Sequence, residues 1–62
     1  MLEYSKLILR KVSFSRELFR KELNKSIKWL KNDEILLLQA WCILTFGDIY
    51  EDVIQETFRQ LA

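Results

Sequence analysis

Between Met1 and Ala62 the chain contains no proline, and its only glycine is Gly47. These are the two residue types that interrupt helix propagation most strongly, at about 3 and 1 kcal/mol per interior position. With so few interrupters, helices must be punctuated by capping residues instead. The sequence is therefore read as all-α, and its cap signals set the number of helices.

Ser15 is the first such signal, with Phe14 before it and Phe19 four positions into the following segment, the pairing of a hydrophobic staple. The apolar positions Phe19, Leu23, Ile27 and Leu30 then follow spacings of 4, 4 and 3, which predicts a helix over 16–31. Asn32 followed by Asp33 and Glu34 predicts a second start, since carboxylates favour the exposed amides of a first turn. Gly47 stands where a left-handed residue closes many helices. Asp48 and Glu51 have the spacing of a capping box that opens another segment. Tyr4, Ile8 and Val12 share one side of a short segment before Ser15. The expected fold is a compact bundle of four short helices over about 3–12, 16–31, 33–46 and 49–61, forming one domain over residues 1–62.

Composition narrows the chemistry. The chain has no histidine, so histidine-based nucleophilic triads and the common imidazole zinc sites do not apply. The adjacent acids Asp33–Glu34 and Glu51–Asp52 lack the spacing of a calcium loop and are explained by capping. We expect no catalytic residue, no metal and no cofactor, and hence no enzyme. Cys42 stands alone inside an apolar segment, where a thiol behaves as a small, inert hydrophobe. A single cysteine and an N-terminal segment charged at Glu3, Lys6, Arg10 and Lys11 fit a cytoplasmic protein without a signal peptide. The longest apolar run, Ile35 to Leu44, is half the length needed to cross a bilayer, so no transmembrane segment is expected.

That same run is the strongest functional clue. Ile35, Leu36, Leu37, Leu38, Ala40, Trp41, Cys42, Ile43, Leu44 and Phe46 occupy the whole circumference of a helix, and a helix apolar all round must be covered. Three neighbours in the same chain would cover it, or an exposed stripe would pack on another molecule. A domain this small buries only about 60% of the surface its unfolded chain exposes, which favours the second arrangement and a twofold homodimer. Leu37, Trp41 and Leu44 are the candidate interface residues, with Trp29 as a further aromatic anchor.

Charge divides the chain. Residues 1–31 carry nine basic and three acidic side chains, and residues 32–62 carry one basic and six acidic. Arg16, Arg20, Lys21, Lys25, Lys28 and Lys31 cover about half of the second predicted helix and are candidate anion-binding residues. A basic-helix adaptor that meets nucleic acid or an anionic surface through 16–31 is thus the alternative to a protein-interaction module. Base stacking would want aromatics interleaved with that face, whereas they fall on the opposite side, which weakens the nucleic-acid reading. Acids on the last predicted helix likewise argue against a helix-turn-helix around Gly47.

The run Val12, Ser13, Phe14, Ser15, then Leu18, Phe19, Glu22, Leu23, Ile27, Trp29 and Leu30, and later Trp41, Cys42, Phe46 and Gly47, resembles a group of short all-helical bacterial proteins with no assigned activity. The resemblance implies a complete chain working in a bacterial cytoplasm and carries no ligand or functional residue.

Overall fold

The computed structural model describes residues 2–60. Three helices follow one another: α1 (Leu2–Lys11), α2 (Arg16–Trp29) and α3 (Asn32–Arg59). All-helical architecture was expected, but the count of four is corrected to three. The predicted segments 33–46 and 49–61 are one continuous helix of 28 residues. The predicted end at Leu61 lies outside the described residues.

The fusion has a local cause. Closing a helix at glycine requires positive φ, and Gly47 does not adopt it. Without that left-handed residue Asp48 does not become a cap, and one helical glycine costs too little to stop propagation. The irregularity falls three residues later, at Tyr50, whose φ of −121° and ψ of 29° leave the helical region. A straight helix of this length would span roughly 42 Å at about 1.5 Å per residue. The molecule measures only 26 × 22 × 19 Å, so α3 folds back on itself at this bend. Tyr50 is held there by tertiary contacts: its ring stacks on Phe19 at 4.5 Å, and its hydroxyl donates to the Ser13 carbonyl.

Other punctuation follows the sequence more closely. Ser15 caps α2, its Oγ accepting from the Leu18 amide at 3.3 Å. Phe14 forms no staple, being 79% exposed while Phe19 is fully buried. Helix α2 ends at Trp29 because Leu30 turns to an extended conformation that drives its side chain into the core. The N-cap of α3 is Lys31 rather than Asn32, and Glu34 accepts from the Lys31 amide at 3.1 Å.

The core lies where the three helices meet. Leu9 comes from α1, and Phe19, Leu23 and Ile27 come from α2. Helix α3 supplies Leu38, Cys42 and Phe46 before its bend and Tyr50, Val53, Ile54 and Phe58 after it. The buried line of α1 is Ser5 and Leu9, one position on from the expected Tyr4, Ile8 and Val12; Tyr4 is exposed. Ile49, the residue before the bend, is 66% exposed. Phe19 sits at the centre, edge-on to Phe46 at 5.1 Å and stacked on Tyr50. Arg16 forms an ion pair with Asp52, tying the start of α2 to the C-terminal part of α3.

Candidate interaction surface

Helix α3 buries only one side of its N-terminal half. Leu38, Cys42 and Phe46 face inward at spacings of 4 and 4, with Ile35 and Trp41 packed partly against the core. On the other side Leu36, Leu37, Ile43 and Leu44 stand 50–86% exposed. Ala40 is exposed between them, and Gly47 is half-buried at the C-terminal end of the stripe. Leu36, Ala40, Ile43 and Gly47 follow spacings of 4, 3 and 4, and Leu37 and Leu44 lie seven apart beside them. This is the alternation by which two helices pack side by side at a shallow angle.

Among the described residues, Gly47 is not hemmed in by close neighbours. A Cβ built there meets only the Ile43 Cγ2 at 3.8 Å, an ordinary contact, and its φ needs no special residue. The stripe therefore ends on the residue type that lets another backbone approach most closely.

The sequence-derived interface residues separate. Leu37 and Leu44 share the stripe, at 57% and 86% exposure. Trp41 is half-buried on its flank, edge-on to Phe46 at 5.5 Å, with Lys6 Nζ and the Arg10 guanidinium 5.9 and 5.7 Å from its ring centre. Those contacts anchor α1 to α3, so Trp41 supports the surface from below. Trp29 is 68% exposed but belongs to a different place, a groove of about 340 Å³ between α1 and α2 lined also by Tyr4, Ile8, Glu22, Lys25 and Ser26. Leu36, Ala40, Ile43 and Gly47 were missed as a site, although their alternating spacing was present in the sequence. Reading the run as apolar all round hid it.

Arg16, Arg20, Lys21, Lys25 and Lys28 are exposed on α2, and exposed Lys31 follows in the link to α3. Arg16 is engaged with Asp52, so the basic face is partly neutralised at its N-terminal end. Cys42 is fully buried, and burial pushes its thiol up to about 12. Among the described residues no group of histidine, cysteine or acids is arranged to hold a metal ion. Among them also, no helix is long and apolar enough to cross a membrane. Gly47 lies within a continuous helix, so there is no helix-turn-helix around it.

Comparison of the chain with protein-family models, with curated proteins and with solved structures finds no match.

Proposed function

We propose that the protein is a non-catalytic interaction module that self-associates in the cytoplasm, pairing the N-terminal half of α3 with the same surface of a second copy. The observation that carries this reading is the exposure of Leu36, Leu37, Ile43 and Leu44 along one side of a helix whose opposite side is core. Four large aliphatic side chains in one stripe are an unusual exposed surface for so small a molecule, and covering them supplies association energy.

Self-complementarity supports a second copy as the occupant. In an antiparallel twofold pair centred between Ala40 and Ile43, Leu36 lies level with the second copy's Gly47, and Ala40 with its Ile43. Leu36 and Ile43 thus each face a small residue. A parallel pair would instead set Asp33, Glu34, Asp48 and Glu51 against their own copies, where like charges repel. Apolar contact sets the affinity and the charges set the direction.

Sedimentation velocity across a dilution series tests the reading. The wild-type chain is expected to show a concentration-dependent dimer, and Leu44→Glu to remain monomeric with an unchanged helical circular-dichroism spectrum. A wild-type chain that stays monomeric at high micromolar concentration refutes it.

A further inference from the structure

The groove between α1 and α2 lies apart from the α3 stripe and has a different character. Its volume of about 340 Å³ is at the lower end of the range in which proteins hold ligand groups. Two aromatic residues stand on its walls, Tyr4 at 61% and Trp29 at 68% exposure. Neither ring stacks on another aromatic ring or lies under a cation among the described residues, unlike Trp41, which has partners of both kinds. Ile8 contributes an aliphatic surface between them. The space thus fits one bulky apolar side chain against two unshared ring faces.

Charge selects what surrounds that side chain. Lys25 lines the groove, and Lys21 and Lys28, four residues before and three after it, are its neighbours on the surface of α2. All three are exposed, and none forms an ion pair among the described residues. Glu22 is the one acid on the lining and offsets Lys25 there, so the basic excess comes from Lys21 and Lys28 beside it. The surroundings are therefore net basic and complementary to an anionic partner. A concave slot that admits one side chain suits a peptide better than a flat bilayer. Phosphate-backbone binding would draw instead on Arg20 and the outer lysines, with no need of Tyr4 or Ile8.

We propose that this groove docks an acidic segment of a partner protein, which inserts a Phe, Trp or Leu side chain beside Tyr4 and Trp29 while its flanking carboxylates meet Lys21, Lys25 and Lys28.

The test is selection of a random displayed-peptide library on the full chain, followed by titration of the synthesised consensus peptide into ¹⁵N-labelled protein. A consensus with one large apolar residue between Asp or Glu is expected, shifting the amides of Tyr4, Ile8, Lys25, Ser26 and Trp29. Lys25→Glu, which turns one attractive contact into a repulsive one, is expected to weaken binding by about fivefold or more. Ile8→Trp, which fills the groove, is expected to abolish binding with the circular-dichroism spectrum unchanged. Should that variant fail to fold, Ser26→Trp obstructs the same space from α2 and carries the same expectation. Enrichment of no peptide, a consensus without acids, or binding that survives the filled groove overturns the proposal. So does a shift of these amides by phosphatidylserine vesicles or single-stranded RNA with none produced by the peptide.

Discussion

The hydroxyl of Tyr50 donates to the carbonyl of Ser13, joining the bend of α3 to the turn between α1 and α2 across 37 positions of sequence. The same ring stacks on Phe19, which is fully buried on α2. One side chain therefore sits where the longest helix changes direction and fastens it there to α2 and to the turn that follows α1.

Tyr50→Phe keeps the stack and removes the hydrogen bond. Urea unfolding is expected to show a loss of about 1 kcal/mol, the net worth of one such bond with its acceptor left less well satisfied. Phe19→Ala removes the ring at the centre of the cluster and is expected to cost about 3–5 kcal/mol, enough to unfold much of a domain this small. Equal losses for the two variants would show that Phe19 is not the centre of the core.

Gly47→Ala is expected to raise stability by about 0.4–1 kcal/mol, because the new methyl group meets only Ile43 and the residue already has negative φ. Gly47→Leu separates fold from association. It adds apolar surface to the stripe, yet it is expected to weaken self-association in sedimentation, since in the proposed pair the second copy's Leu36 would approach that position closely. Stronger association in Gly47→Leu would rule out the large-against-small register.

Cys42 links stability to alkaline pH. Its folded thiol titrates near 12 because burial disfavours the thiolate, against an ordinary value of 9.0 in the unfolded chain. Between those values the unfolded state binds fewer protons, so stability falls as pH rises, by up to about 1.4 kcal/mol per pH unit. Below pH 9 the contribution is fully present. The stability difference between wild type and Cys42→Ala, followed by denaturant unfolding from neutral pH upward, is expected to shrink in this window. A difference that stays constant would mean that the thiol is accessible in the folded state. Thiol-reactive reagents at neutral pH are expected to label Cys42 only at the rate of protein opening.

The Arg16–Asp52 pair is expected to contribute little, since its side chains remain 51% and 60% exposed. A double-mutant cycle with Arg16→Ala and Asp52→Ala should give a coupling of about 0.2–1 kcal/mol that diminishes with added salt. A coupling that is large and insensitive to salt would indicate a desolvated pair.

Helical content, the Ser15 cap, the α2 core line Phe19–Leu23–Ile27 and the burial of Cys42 were legible from residue order alone, because each depends on neighbours within a turn or two. The continuity of α3 was not. Gly47, Asp48 and Glu51 carry a valid local stop and start, but no local rule registers that Tyr50 finds Phe19 and Ser13 on other elements and bends the helix there instead. The same limit applies to the surface. The order of residues established that the segment from Ile35 to Phe46 is apolar around nearly its whole circumference. Only packing decided which side α1 and α2 cover, because the direction in which a helix presents its faces is set by what it rests against.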